Sequence, residues 1–191
     1  MSLPWIVAAI ALLAFIALIA GQRFGARPQA PAQSDASAPT LAQGRAPDIS
    51  QLTPAQRAVM LHDRIMRYRE AGKKDSVLMF APMGIAAYEM LGNLDLDSRY
   101  DLGMIGDASE NAALARAQAD TILRQNPDHL LGLILAARAA RLENRTADER
   151  KFYQRLIAAE AAERGKSLDE YVTHANDIAL GLEEARRVVR R

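Results

Sequence analysis

The sequence of 191 residues contains no cysteine, so no thiolate nucleophile is available, and its absence is compatible with either redox compartment. No G-x-S-x-G elbow is present. No stretch alternates apolar and polar residues as a strand does, so no Gly-rich phosphate loop can follow one. Histidine is scarce: His62, His129 and His174 lie far apart, outside any HxxxH or HExxH spacing, which predicts no metal site. A basic excess is missing too. Residues 46–191 carry 22 acidic and 21 basic side chains, a net charge of −1, which argues against nucleic acid as the partner. These absences predict a protein that is not an enzyme and needs no cofactor.

One long apolar run is present. Residues 3–21, LPWIVAAIALLAFIALIAG, are 19 residues without a charge. At a helical rise of about 1.5 Å per residue they would span a bilayer's hydrocarbon core. Trp5 suits an interfacial position. A cleaved signal peptide is the other reading. Against it, no Lys or Arg precedes the run, the run is longer than a usual h-region, and a cut after Ala20 would put Leu18 where a small residue is wanted. We therefore expect a single-pass anchor in a bacterial inner membrane. Arg23 and Arg27 follow the run, which favours a body on the cytoplasmic side, with the periplasmic side as the alternative. Residues 22–49, rich in Pro, Ala, Gln, Ser and Gly, bury too little apolar surface to order and read as a flexible linker.

The remaining residues, 50–191, read as helix after helix, so the expected fold class is all-α. Thr53, Pro54 and Gln56 form a capping box that opens a helix carrying Ala58, Leu61, Ile65 and Tyr68 on one face, up to a turn at 71–75. A second helix, about 76–91, must bend or restart at Pro82. Asp97 or Ser98 is expected to cap a third, to about Ile105. The fourth runs from about Ser109 to Arg124 and the fifth from Leu130 to about Leu142. Thr146 with Glu149, and Ser167 with Glu170, have capping-box spacing and predict a sixth helix, ending near Gly165, and a last one reaching the C-terminus.

A period of 34 residues runs through this region. It aligns Leu102 and Gly103 with Ala136 and Ala137, Ala115 with Glu149, Ala119 with Tyr153, and Ile122 with Leu156. Residues 96–129 resemble the tetratricopeptide repeat, W-x2-L-G-x2-Y, then A-x3-F, then P, at Leu102, Gly103, Ala115 and Pro127. They depart from it at Arg99, Gly106 and Ala119. The resemblance implies hairpins at about 54–92, 96–126 and 129–164 with a capping helix at 168–190; a generic helical bundle is the alternative. In this family small residues let the two helices of a hairpin cross closely, and the first helices line a concave surface that binds peptide or protein segments. Carried onto this chain, the partner-binding positions are Tyr100, Met104 and Asp107, then Leu131, Ile134, Arg138 and Arg141. The two arginines would hold a carboxylate, and Tyr100, Met104 and Ile134 an apolar anchor.

The implied function is a membrane-anchored scaffold or assembly factor that binds a protein segment. One alternative is an accessory subunit of a larger membrane complex, with the alanine-rich anchor making the key contacts, and a third reading is an enzyme with a site assembled from dispersed polar residues. Asp128 and His129 could be an acid–base pair. The period instead makes them part of a joint, with Asn126 closing one helix, Pro127 blocking its continuation and Asp128 capping the next. Six of the seven methionines fall between Met60 and Met104 and read as core filling, or as a soft groove for a partner helix or a thioether site for copper. The C-terminal EEARRVVRR reads as a helix end with Glu183 and Glu184 pairing to Arg186, Arg187 or water, or else as a contact for anionic lipid or an acidic partner.

Overall fold

The computed structural model describes residues 51–191; the apolar run at 3–21 and the linker at 22–49 lie outside them. The described residues are all-α, with eight helices and no strand. Three pairs come first: α1 (Pro54–Glu70) with α2 (Lys74–Glu89), α3 (Leu96–Ala108) with α4 (Ala112–Gln125), and α5 (Leu130–Leu142) with α6 (Thr146–Arg164). A short α7 (Asp169–Thr173) leads into α8 (Ala175–Val189). Among the described residues no helix is long and apolar enough to cross a membrane.

Each pair packs along its length, and the short turns between partners make them hairpins. The first helices also pack on one another, α1 on α3 and α3 on α5. The second helix of each pair packs on the first helix of the next. α8 continues this order by lying against both α5 and α6, where the first helix of a fourth hairpin would go. Two apolar cores result. Ala58, Ile65, Val77, Ala81, Tyr88, Leu102 and Ile105 form the smaller one between the first hairpin and α3. The larger one runs from Tyr100 and Met104 through α5 to Ile178, Leu182 and Ala185 of α8. α5 is apolar nearly all round, with every residue from Leu130 to Ala140 buried, and such a helix must be enclosed by others.

Small residues do allow close crossings, although not all where the repeat pattern puts them. A Cβ on Gly103 would fall 2.2 Å from Leu135 of α5, in the next hairpin. The approach to the partner helix α4 is at Gly106, where a Cβ would stand 2.9 Å from the backbone nitrogen of Ala115. Tyrosine, usual at that position of the repeat, could not fit there.

The Thr53 capping box forms as expected, with Thr53 Oγ1 accepting from Gln56 N–H and Gln56 Oε1 accepting from Thr53 N–H. Other starts differ. Asp95, one turn before the expected residues, caps α3 by accepting from Ser98 N–H. Asn111 caps α4. Thr146 is already the first helical residue of α6, because the chain enters through Asn144 in the left-handed region and Arg145. Ser167 also sits at positive φ and caps nothing. The last helix is broken at His174 into α7 and α8. α2 runs unbroken through Pro82, whose ring side is exposed to solvent.

Candidate functional site

The positions expected to line a groove lie on α3 and α5, and α8 with the His174 before it meets Tyr100, Ile134, Arg138 and Arg141. Tyr100, Met104, Leu131 and Ile134 are buried in the larger core. The contact with α8 is close at Gly181, where a Cβ would fall 2.6 Å from Ile134 Cδ1 and 2.7 Å from Cγ1. Only a residue without a side chain lets the two helices approach this far. At the start of α8 the His174 ring meets Tyr100 edge-on, with ring centroids 4.8 Å apart.

The charged positions on this face already have partners within the chain. Asp107 is buried and accepts from Arg69 Nη2 at 2.6 Å, with Arg141 Nη2 at 3.8 Å. Arg138 is buried; its Nη1 donates to Met104 Sδ at 3.1 Å and its Nε lies 3.7 Å from Glu184 Oε2. Arg141, the one exposed member of the set, pairs with Glu184. Glu184 of α8 thus occupies the place foreseen for a partner's carboxylate. This also corrects the expected pairing in EEARRVVRR, since Glu184 faces α5 and Arg186 reaches Glu160 of α6 at 3.0 Å.

Asp128 and His129 form a joint, though a different one from that expected. Asp128 is exposed and caps nothing; its carboxylate lies 3.7 Å from Arg155. His129 precedes α5 and is fully buried, with Nε2 at 3.2 Å from Glu170 and the ring against Tyr171. Burial holds its pKa below the usual imidazole value, against the pull of Glu170. The Tyr171 hydroxyl accepts from Leu130 N–H, satisfying a free donor at the start of α5, and donates to Glu163 at 2.9 Å. Burial opposes ionisation of Glu163, but hydrogen bonds from Lys166, Asn126 and Tyr171 prevail and hold its carboxyl below the ordinary range.

The other two histidines come together across the fold. Asp97 and Asp101 stand one turn apart on α3, a like-charge spacing that destabilises a helix unless something offsets it. His174 lies between them, with Nε2 at 2.9 Å from Asp97 Oδ1 and 3.5 Å from Asp101 Oδ1. His62 of α1 approaches Asp101 Oδ1 from its own side, with Nε2 also at 3.5 Å. Tyr88 of α2 donates to Asp101 Oδ2 at 2.8 Å, and Asp177 Oδ2 lies 3.2 Å from His174 Nδ1. Burial pushes the Asp101 carboxyl above its ordinary range, with His62, the Tyr88 hydroxyl and His174 pulling the other way. Burial also opposes charge on His174, yet Asp177, Asp101 and Asp97 outweigh it and hold the ring above its ordinary pKa. Sequence spacing gave no sign of this assembly beyond the two aspartates four residues apart.

Most of the exposed large apolar side chains lie on the first hairpin, with Val172 and Leu180 exposed at the other end. Met104 is buried and Met60 and Met66 are partly buried, but Met79, Met83 and Met90 of the α2 segment are 70%, 53% and 83% exposed. Their spacing of four and seven residues places them along one side of that helix and its cap. Core filling therefore accounts for only part of the methionine cluster. Compared with protein-family models, with curated proteins and with solved structures, the chain matches none.

Proposed function

We propose that the protein is a membrane-anchored interaction module of tetratricopeptide-repeat type. In this reading it acts as a scaffold or assembly factor that binds a segment of a partner protein, and it is not an enzyme. The observation that carries the reading is the meeting of Met104 and Arg138, 34 residues apart, at equivalent places on neighbouring first helices. A contact at the sequence period is what stacked repeats produce, each hairpin burying its face on the next. The partner segment meets the stack on the Met79, Met83 and Met90 side of α2. Flexible, polarizable thioethers suit an amphipathic helix there. The Tyr100 to Arg141 face becomes available only when α8 leaves it. The anchor at residues 3–21 holds the module at a bacterial inner membrane.

The test uses the full chain purified in mild detergent with whatever protein accompanies it. Replacing Met79, Met83 and Met90 together by Gln should leave the far-ultraviolet circular dichroism unchanged and release that protein. Retention by the Gln variant, with loss on exchange of residues 3–21 for an unrelated anchor, would instead make the chain an accessory subunit held through its membrane segment. Turnover by the isolated protein would overturn the non-enzymatic reading.

A further inference from the structure

We infer that His174, Asp97 and Asp101 bind one divalent transition-metal ion of the zinc class, with His62, which approaches Asp101 from outside this close set, rotating in as the fourth donor. The inference rests on their convergence and does not depend on the proposed interaction role. The relevant oxygen and nitrogen atoms of Asp97, Asp101 and His174 all lie within 4.8 Å of one another. In a tetrahedral zinc site with bonds of about 2.0–2.2 Å, neighbouring ligand atoms stand about 3.3–3.6 Å apart. The separations here are 2.9 Å from His174 to Asp97, 3.5 Å from His174 to Asp101 and 3.5 Å from His62 to Asp101. An ion of that size fits among the atoms of Asp97, Asp101 and His174 with little movement of the helices, and His62 must move in to join them.

A second observation points to a missing ligand. Asp101 is only 6% exposed, and its Oδ1 has no hydrogen-bond partner among the described residues. Buried carboxylate oxygens are ordinarily satisfied, because leaving one bare carries the cost of its lost hydration. Tyr88 holds the other oxygen, which turns Oδ1 towards the two imidazole nitrogens. A proton on His174 Nε2 does not meet the need, since Asp97 takes it at the shorter distance.

The surroundings are those of a metal ligand set. Asp177 Oδ2 stands 3.2 Å from His174 Nδ1, so that when an ion displaces the proton from Nε2 the remaining proton on Nδ1 is held by Asp177 and the Nε2 lone pair faces the aspartates. A carboxylate behind a ligating histidine fixes the tautomer and ring orientation in this way and strengthens the ligand. Asp63 stands 3.5 Å from Nδ1 of His62 in the same relation. Mixed imidazole and carboxylate donors suit Zn²⁺ better than Mg²⁺ or Ca²⁺, which take oxygen ligands almost throughout. With donors from α1, α3 and the start of α8, the ion staples α8 over the face formed by the first helices.

The experiment uses the full chain in detergent, stripped with a chelator and dialysed. Zn²⁺ is titrated in with millimolar Mg²⁺ present, bound metal is counted by mass spectrometry, and Co²⁺ replaces Zn²⁺ for visible spectroscopy. One equivalent of Zn²⁺ should bind and raise Tm, and Co²⁺ should give the absorption of a nitrogen–oxygen site. Asp97→Asn, at the exposed rim of the cluster, should fold normally and weaken Zn²⁺ binding by about tenfold or more. His174→Gln should abolish the Co²⁺ spectrum, and Asp128→Asn, outside the cluster, should change nothing. Failure of the unmodified chain to take up stoichiometric Zn²⁺, or uptake equal in the Asp97→Asn protein, would overturn the assignment. Because Asp97 is half exposed and contributes no core packing, a folding defect in His174→Gln would leave that decision to Asp97→Asn.

Discussion

At its N-terminal end the stack finishes on α2, with Met79, Met83 and Met90 in the open. At the other end α5 and α6 are closed over by α8, which adds Ile178, Leu182 and Ala185 to the core. The same building unit therefore ends in two ways. Repeat stacks need a terminal element that is polar on its outer side, and α8 supplies one: Asn176, Glu183, Arg186 and Arg187 face solvent. α2 keeps an apolar outer side, and such a side on an otherwise finished stack marks a contact surface. The closed end should be stability-critical and the open end should not.

The largest difference should come from truncating the core beneath α8. Ile134→Ala removes a fully buried side chain that packs on Gly181 and should cost about 2–5 kcal/mol in urea unfolding. Gly181→Val comes next. Its branched side chain must displace Ile134, and overpacking of this kind costs about 1–3 kcal/mol. The second variant should also make α8 the first site of limited proteolysis. If both variants unfold at the same urea concentration as the unmodified chain, α8 is not the closure of the stack and the comparison fails.

Acid should weaken the joint before α5 first, while His174, held above its ordinary value at the start of α8, acts in the opposite sense. His129 has a folded pKa below its ordinary value of 6.5, so the unfolded chain takes up a proton that the folded chain holds off. Its contribution to stability is intact above that value and declines as pH falls through and below it. Glu163, also held low, adds a loss as pH falls through its ordinary 4.5 and on towards its folded value. Hydrogen exchange followed from pH 7 to pH 5 should therefore show α5 losing protection relative to α1. In His129→Gln the slope of stability against pH over that range should be shallower. An equal slope would mean that another group carries the acid response.

How far the sequence showed this contrast depends on which residues carry it. The Thr53 capping box and the apolar run Leu130–Leu142 are local signals, and both helices form where those signals put them. The caps of α3 and α6 differ from the expected ones because Asp95, Asp97 and Ser98 all suit a helix start, and the turn through Asn144 and Arg145 already puts Thr146 inside α6. The choice among them falls to the turn that precedes each helix. The resemblance implies that Tyr100, Ile134 and Arg138 line a groove open to a partner, whereas in the structure all three are buried. It carried no information on what would cover them, because α8 docks through a glycine and a glutamate, neither of which advertises a partner. The cluster of His62, Asp97, Asp101 and His174 draws on three helices, so only the fold brings it together.

The smallest effect expected is also the most discriminating. Met83→Gln exchanges one flexible, unbranched side chain for another of similar length at a position more than half exposed on α2. Little apolar area leaves water there on folding, and both residues favour helix about equally, so Tm and urea midpoint should move by no more than about 0.5 kcal/mol in equivalent stability. The contrast with Ile134→Ala then measures the asymmetry of the stack directly. A loss above about 1 kcal/mol for Met83→Gln would mean that the side chain is covered in the intact protein. The open end would then be closed too, by something that packs as tightly as α8 does, and the methionines would be its footprint.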